Sequence, residues 1–401
     1  MTTDEKQSGK LPFGALLALA MTGFICIVTE TLPAGLLPEI GSGLGVSASF
    51  AGQMVTVYAL GSLLAAIPLT IATQSWRRRT VLLMTIVGFL VFNSVTALSS
   101  NYWLTLIARF FAGVSAGLAW SLVAGYARRM VVPQLQGRAL AVAMVGTPIA
   151  LSLGVPLGTW LGGFMGWRMA FGLMSGLTLL LIVWVLVKVP DYPGQSSSQR
   201  MALRQVFLTP GVRSVLGVVF TWMLAHNILY TYVAPFVSEA GLANDVDLVL
   251  LAFGVAALAG IWVTGRLVDR HLRKTVLASL ATFAAVSVFF GLFSGSALAI
   301  YIGVSIWGLT FGGAATLLQT ALADSAGKGA DVALSMNVVV WNSAIAGGGL
   351  LGGVLLGQWG VSAFPWVLLM LLLLSLAIAS RARVHGFAGG DRQSGLIVAG
   401  H

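Results

Sequence analysis

Residues 265–274 read Gly265-Arg266-Leu267-Val268-Asp269-Arg270-His271-Leu272-Arg273-Lys274, a basic turn set between two long apolar stretches. A second basic turn, Trp76-Arg77-Arg78-Arg79-Thr80-Val81-Leu82, lies between two apolar stretches about 195 residues earlier. Long apolar stretches joined by short charged turns are typical of helices that cross a membrane. Because the turn recurs in both halves of the chain, it indicates an internal repeat, and repeats of this kind build many secondary transporters.

The two turns belong to a series of apolar stretches that fills the chain. A helix needs about 20 mostly apolar residues to cross the hydrocarbon core of a bilayer. With 58% hydrophobic and 8% charged residues, the chain has too little polar surface for a soluble globular protein of 401 residues. The sequence therefore predicts an all-α integral membrane protein with twelve transmembrane helices. We place spans 1 to 12 at residues 12–37, 50–72, 79–98, 102–126, 138–161, 168–188, 213–237, 247–268, 274–293, 297–322, 332–357 and 364–384.

The basic residues are distributed unevenly between the two sides of the predicted membrane. If the connections alternate between the sides, all but two of the 22 Lys and Arg residues fall on one side. The exceptions are Arg168, in an opposite connection, and Arg109, within span 4. By the positive-inside rule we expect both termini in the cytoplasm. Orientation and anionic lipid headgroups of the bilayer explain the net charge of +10, so it does not indicate a nucleic-acid partner.

The longest internal connection divides the spans six and six. Residues 189–212 are rich in Pro, Gly and Ser, which is typical of a linker. We therefore predict a six-helix half at 12–188 and a second at 213–384. The segments 1–11 and 385–401 are predicted to be cytoplasmic tails.

The turn at 265–274 resembles the loop that follows the second span of each half in the major facilitator superfamily. That loop carries a glycine, then an Asp-Arg pair, then a basic pair. Physically, Gly265 permits close helix approach, and Asp269 can cap a helix end or pair with a nearby Arg in a latch that breaks when the halves rock. The candidate gating residues are Gly265, Asp269, Arg270, Arg273 and Lys274, with Arg77 and Arg78 of the earlier turn. The alternative is a positive-inside cluster without a gating role. The earlier turn departs from the pattern, with Thr70 and Gln74, or Leu69 and Thr73 one residue out of register, where Gly and Asp are expected.

Further stretches narrow this resemblance. Residues 29–38, 109–113, 154–158 and 166–171 are similar to motifs of the drug:proton antiporter branch, especially of bacterial exporters of sugars, purine nucleosides and chloramphenicol. The resemblance covers residues 11–384 and implies the major facilitator fold, in a multi-pass protein of the bacterial cytoplasmic (inner) membrane. It also implies proton-coupled efflux of the kind that confers multidrug resistance. The substrate stays open, because the same motifs serve many solutes.

Two charged residues lie well away from the ends of the predicted spans. Ionisable groups in hydrocarbon cost several kcal/mol unless they are paired or wetted, so they are functional candidates by default. Counted along their helices, Glu30 in span 1 and Arg109 in span 4 both lie roughly 10 Å below the outer surface. In the resembling fold, spans 1, 4, 7 and 10 surround a central cavity, so a charge pair between the two is sterically reasonable. We assign them to proton coupling, with Glu30 as the proton carrier; the alternative is a permanent structural ion pair.

Polar and aromatic residues near the middle of other spans could line a substrate cavity. They offer ring faces and hydrogen-bonding groups, although a lone histidine in an apolar helix is more often a satisfied packing residue. Span 5 carries glycines beside a proline, a pattern that lets helix backbones approach and bend, with ordinary tight packing as the alternative. The cavity candidates are Trp120, Ser121, His226, Asn227, Tyr230 and Asn342, and the helix-packing candidates are Gly154, Pro156 and Gly158.

These features favour a secondary transporter. The sequence contains no metal-ligand spacing, phosphate-binding loop or nucleotide domain, so we expect no enzyme, no metal and no cofactor, with the proton gradient as the energy source. We predict a monomer that exports small amphipathic or hydroxylated solutes, such as drugs, sugars or nucleosides, by alternating access in exchange for protons. A proton symporter or uniporter for uptake is the first alternative. A membrane-embedded enzyme or receptor is a distant one, because neither a cluster of intramembrane reactive groups nor a sizeable soluble domain is visible.

Overall fold

The computed structural model describes residues 11–73, 75–132, 139, 142–194 and 203–389, and within these ranges the chain forms helices, turns and no strand. Twelve helices in the described part are long and apolar enough to cross a membrane, which confirms the predicted fold class. These spans are Phe13–Gly35, Ala48–Ala66, Arg78–Leu98, Tyr102–Arg129, Val142–Met165, Trp167–Lys188, Val212–Thr231, Val246–Val268, Arg270–Phe293, Ala297–Ala326, Val332–Trp359 and Val361–Arg381.

The chain divides into two compact units, residues 1–198 and 199–401, which we call unit 1 and unit 2. The division falls within the predicted linker. Part of that linker is helical rather than irregular, because Leu203–Phe207 forms a short helix before span 7. In unit 1 the helices are Phe13–Gly35, Leu37–Leu44, Ala48–Ala72, Arg78–Leu98, Tyr102–Arg129, Gly146–Ile149, Val155–Met165 and Trp167–Lys188. In unit 2 they are Leu203–Phe207, Val212–Thr231, Val233–Ser238, Val246–Phe293, Ala297–Gly312, Ala314–Ala326, Ala330–Trp359 and Phe364–Arg381.

The same glycine contacts hold the second and fourth spans of each unit together. A Cβ atom at Gly113 would lie 1.9 Å from the carbonyl oxygen of Tyr58, and one at Gly308 would lie 2.4 Å from that of Phe253. Both pairs are related by the offset of about 195 residues that relates the two basic turns. The contacts of Gly117 with Ser62 and of Gly312 with Ala257 repeat the relation one helical turn further on. The internal repeat is therefore one of backbone packing as well as of sequence.

The first span of each unit breaks at an equivalent place. Span 1 ends at Gly35, and Leu36 leaves the helix (φ −128°, ψ 20°) before a second helix begins. Span 7 ends at Thr231, and Tyr232 leaves the helix in the same way (φ −112°, ψ 29°). These breaks shorten both spans relative to the predicted ranges 12–37 and 213–237.

The basic turn at residues 265–274 is tighter than the sequence predicts. Instead of a loop of several residues, two helices within Val246–Phe293 meet at a kink, where only His271 has non-helical backbone (φ −132°, ψ 29°). In unit 1 the corresponding connection is longer, because span 2 belongs to a helix that ends at Ala72 and span 3 begins at Arg78. The two basic turns thus share a position in the repeat and differ in backbone conformation.

Candidate functional site

Arg109 lies at the centre of unit 1, fully buried. Its guanidinium donates hydrogen bonds to three backbone carbonyl oxygens: from Nη1 to Thr29 (2.6 Å), from Nη2 to Glu30 (3.3 Å) and from Nε to Met54 (3.3 Å). These acceptors belong to spans 1 and 2, while Arg109 belongs to span 4. One side chain therefore ties three helices together through their backbones.

The local sequence of span 1 explains why a carbonyl there can accept a bond from Arg109. In a regular helix the carbonyl of Thr29 would accept from the backbone N–H four residues later. That residue is Pro33, which lies inside the helix and has no N–H. The guanidinium of Arg109 takes the place of the missing donor.

Aromatic rings and a polar side chain complete the surroundings of this group. The Cζ atom of Arg109 lies 4.8 Å from the ring centroid of Tyr58 and 5.7 Å from that of Phe171. The Tyr58 hydroxyl donates to the carbonyl of Cys26 (3.0 Å), and Asn93 Nδ2 donates to Thr29 Oγ1 (3.0 Å). The cation is thus surrounded by carbonyl dipoles and ring faces, which stabilise a charge removed from water.

Glu30 is nine-tenths buried beside this group, but the predicted ion pair with Arg109 is not formed. Among the described residues, no basic nitrogen lies within 4.0 Å of the Glu30 carboxylate; the one ion pair found there joins Arg77 and Asp191. The reason is that the donors of Arg109 are directed to backbone carbonyls. Arg109 holds the peptide of Glu30 and leaves its carboxylate without a direct partner.

The remaining cavity candidates of unit 1 lie on span 4. The Trp120 ring packs beside Gly23 of span 1, where an added Cβ would lie 3.4 Å from ring atom Cη2. The exposed Ser121 has its Oγ 2.7 Å from Thr70 Oγ1 of span 2. Neither residue is among the hydrogen-bonding partners of Arg109.

Glycines bring span 5 against span 1 next to Glu30. Added Cβ atoms at Gly154 and Gly158 would approach Val28 and Leu32 to 2.7 Å. A π-helical turn, Ala150–Gly154, ends two residues before Pro156, which cannot supply the helix N–H at its position. Span 5 is therefore irregular at the point where it faces the span that carries Glu30.

The cavity candidates of unit 2 are all buried, and they fall into two kinds. The side-chain amides of Asn227 and Asn342 donate to carbonyls of their own helices, at Met223 (2.7 Å) and Val338 (2.9 Å). Asn227 also packs against span 11, where an added Cβ at Gly348 would lie 2.6 Å from its Cβ. The two amides therefore act as helix-packing groups in this conformation.

His226 and Tyr230 belong instead to an aromatic cluster that also contains Phe253, Trp307 and Phe311. The His226 imidazole stacks face to face on Phe311, with ring centroids 3.5 Å apart and planes 3° apart. Centroids of the other three rings lie 5.2–5.9 Å from it. His226 precedes the helix break at Tyr232 by the same number of residues as Glu30 precedes the break at Leu36. Sequence reasoning missed Phe253, Trp307 and Phe311, although Trp307 and Phe311 lie four residues apart on one helix face.

The earlier basic turn is contacted by the segment that follows span 6. Arg77 forms an ion pair with Asp191 (Nε to Oδ2, 2.5 Å), and the other carboxylate oxygen accepts from the backbone N–H of Arg79 (3.2 Å). The N–H of Arg78 donates to the carbonyl of Tyr192 (2.8 Å). Asp191 thus supplies, from the start of the linker, the acidic group that the first turn lacks at Gln74, a residue outside the described ranges.

The later turn is contacted by the segment that follows span 12. Arg273 donates to the carbonyls of Ala379 (2.9 Å), Ser380 (2.9 Å) and Phe387 (3.0 Å), at and beyond the end of span 12. The close helix approach expected at Gly265 is not found, because no atom of the described residues lies within 4 Å of a Cβ added there. Arg270 and Lys274 are exposed, and the side chain of Asp269 lies outside the described part of the chain, as does the latch expected of it.

Removing the Asp191 carboxylate should loosen the first turn. Burial alone would raise the pKa of Asp191, but the Arg77 hydrogen bond, the Arg79 N–H and both charges hold it below its ordinary value. The carboxylate therefore stays ionised at neutral pH, and its contribution is lost only as the pH falls below about 4. We expect Asp191→Ala to speed amide hydrogen exchange at Arg78 and Arg79 at pH 7 while lowering global stability by less than about 1 kcal/mol. Asp245→Ala in unit 2 is the control, and unchanged exchange in Asp191→Ala would contradict the role of the carboxylate.

Comparisons with known proteins agree with this architecture. The family model of the Major Facilitator Superfamily matches residues 19–348. The chain is 31% identical over 379 residues to the purine ribonucleoside efflux pump NepI of Escherichia coli (strain K12), covering 93% of this chain and 94% of that protein. It is similar to the same degree to the proteins of that name from Shigella flexneri and Shigella dysenteriae serotype 1 (strain Sd197).

Proposed function

The chain belongs to the major facilitator superfamily, and on that premise we propose that this transporter exports small amphipathic or hydroxylated solutes in exchange for protons, by alternating access. Purine nucleosides are the first candidates, because the relatives are named as purine ribonucleoside efflux pumps. Drugs and sugars are the further solutes suggested by the resembling branch. The proton gradient is the energy source, and no cofactor takes part.

The observation that carries this proposal is the state of Glu30. A buried carboxylate without a direct cationic partner can gain or lose a proton without breaking an ion pair. Arg109, whose donors are directed to backbone carbonyls, fixes the peptide of Glu30 and provides a positive charge nearby. In this mechanism Glu30 takes up a proton from outside and releases it to the cytoplasm while the solute moves outward. Arg109 is a positioning residue rather than a proton carrier, since a guanidinium does not deprotonate in proteins.

The charge asymmetry supports the placement of the protein. We place the basic turns and both termini in the cytoplasm of a bacterium, with the spans in its inner membrane. The segments that follow spans 6 and 12 then lie on the cytoplasmic side, where contacts of Asp191 and Arg273 hold them against the two basic turns. Because each unit closes its own basic turn in this way, we expect a monomer to be sufficient for transport.

Transport by purified protein in proteoliposomes tests the proposal. An antiporter accumulates radiolabelled adenosine in vesicles with an acidic interior, because protons leave as the solute enters, and a protonophore abolishes the accumulation. A screen of drugs and pentoses under the same gradient identifies the preferred solute. Accumulation driven by an acidic exterior would instead establish a symporter, and transport that ignores the pH gradient would establish a uniporter. Either result would overturn the proposed antiport.

A further inference from the structure

The aromatic cluster of unit 2 has the geometry of a ring-binding slot that a side chain now fills. His226 and Tyr230 lie four residues apart on span 7, and Trp307 and Phe311 lie four residues apart on span 10, so each pair occupies one helix face. Phe253 of span 8 lies beside both pairs, with its ring centroid 4.5 Å from that of Trp307 and 5.5 Å from that of Tyr230. The imidazole is a planar nitrogen heterocycle stacked face to face on Phe311.

Two polar atoms in this cluster are buried without a hydrogen-bond partner. They are Nδ1 of His226 and Nε1 of Trp307, and both side chains are more than nine-tenths buried. Nearly all buried donors and acceptors in proteins are paired, because leaving one unsatisfied destabilises the protein. The indole N–H and the imidazole nitrogen are therefore available for the polar edge of a bound molecule.

The internal repeat shows that the helix scaffold does not require these rings. Spans 2 and 4 of unit 1 pack through the same glycine contacts as spans 8 and 10 of unit 2. At the positions of Trp307 and Phe311, however, unit 1 has Ala112 and Ala116. Since the same backbone packing forms with alanines there, the large rings of unit 2 are not needed to hold the helices together.

We infer that this aromatic cluster is the subsite for the planar nitrogen-heteroaromatic part of the exported solute. The ligand ring stacks on Phe311 in the place now taken by the His226 imidazole, which turns aside about its side-chain torsions. Trp307 Nε1 donates to a ring nitrogen or carbonyl of the ligand, and the displaced imidazole offers its nitrogen to the same edge. A nucleobase meets each of these requirements, whereas a free sugar has no ring face to stack. The inference rests on the proposed function and narrows its substrate class.

Equilibrium binding tests the subsite without any gradient. The full-length protein in lipid nanodiscs should bind radiolabelled adenosine, with adenine competing and ribose failing to compete. Phe311→Leu removes the ring face while keeping an apolar side chain, so adenosine affinity should fall roughly 10-fold or more. Trp307→Phe keeps a ring and removes only the N–H, so the affinity should fall by a smaller factor.

A matched control separates stacking from loss of packing. Phe290 is also buried in unit 2 and packs edge-on against Phe236, which is outside the cluster, with centroids 5.2 Å apart. Phe290→Leu should bind adenosine as the wild type does, with thermal unfolding measured for every variant. Wild-type affinity in Phe311→Leu, or competition by ribose as strong as by adenine, would overturn the subsite.

The same measurement in a Glu30→Gln background separates the subsite from proton coupling. That protein should bind adenosine with the same dependence on Phe311, even though its gradient-driven transport is lost. A wild-type protein that exports a non-aromatic solute against its gradient but binds no adenosine would overturn the subsite and leave the proposed antiport standing. If the variants bind adenosine with the expected affinities but transport by the wild-type protein does not depend on the pH gradient, the subsite stands and the proposed antiport is overturned.

Discussion

Arg109→Leu should largely prevent accumulation of folded protein. The substitution removes three hydrogen bonds from one charged group, and the acceptors lie on spans 1 and 2. A buried carbonyl left without a donor costs about 1–3 kcal/mol, and the Thr29 carbonyl has no helix donor because Pro33 occupies the position four residues on. Fluorescence-detected size-exclusion chromatography and thermal unfolding in detergent measure the loss. Arg109→Lys keeps the charge but not the three-way contact, so it should be intermediate.

A double-mutant cycle with Pro33 tests the stated cause. Pro33→Ala restores the N–H that the Thr29 carbonyl lacks, so Arg109→Leu should cost less in that background than in the wild type. The loss in free energy of unfolding caused by Arg109→Leu should be smaller by about 1 kcal/mol in the Pro33→Ala background, which is the typical contribution of one hydrogen bond. Strictly additive losses would show that the Arg109 contact and the proline are independent. Wild-type stability of Arg109→Leu would refute the structural role altogether.

Glu30→Gln should abolish proton-driven accumulation while leaving the protein folded. Gln has nearly the same shape, and the contact with Arg109 uses the backbone carbonyl of Glu30, which the substitution retains. Transport into acid-interior vesicles should fall to the level of protein-free vesicles, because the side chain no longer exchanges a proton. Counterflow of labelled against unlabelled solute needs no net proton movement and should survive.

Glu39→Gln is the matched control for this experiment. Glu39 is exposed on the short helix Leu37–Leu44 that follows the break after span 1. Its substitution should leave gradient-driven transport unchanged. If Glu30→Gln still concentrates solute with the wild-type pH dependence, another group carries the proton.

The fold class followed from local properties of the sequence. The number of spans depends on apolar length, which each stretch carries by itself, and all twelve are present in the structure. The repeat was visible from two basic turns because the pseudo-symmetric halves share their connections. Sequence patterns placed the breaks less well: the helix exits at Leu36 and Tyr232 and the one-residue kink at His271 depend on neighbouring helices.

The candidate site was only partly accessible from sequence. Burial of Glu30 and Arg109 could be expected from their place in apolar spans, because ionisable side chains in a membrane face the interior of the helix bundle rather than the lipid. The direct ion pair that their equal depth suggested is not formed, because equal depth does not say which groups the guanidinium meets. The family pattern places the acidic residue of the first turn at position 74, where this chain has Gln. The acidic partner of Arg77 is instead Asp191, more than a hundred residues further along the chain. Such partners are set by which segments meet in space, and no local pattern encodes them.

The sequence by itself determined the membrane class, the number of spans, the internal repeat and the identity of the two buried charged residues in spans 1 and 4. These are consequences of hydrophobic length, charge bias and residue type, which act one segment at a time. Tertiary structure alone decided that Arg109 bonds to backbone carbonyls and that His226 stacks on Phe311. The physical reason is that a buried polar group must be satisfied by whichever atoms packing brings within about 3 Å, and packing joins residues that are distant in sequence.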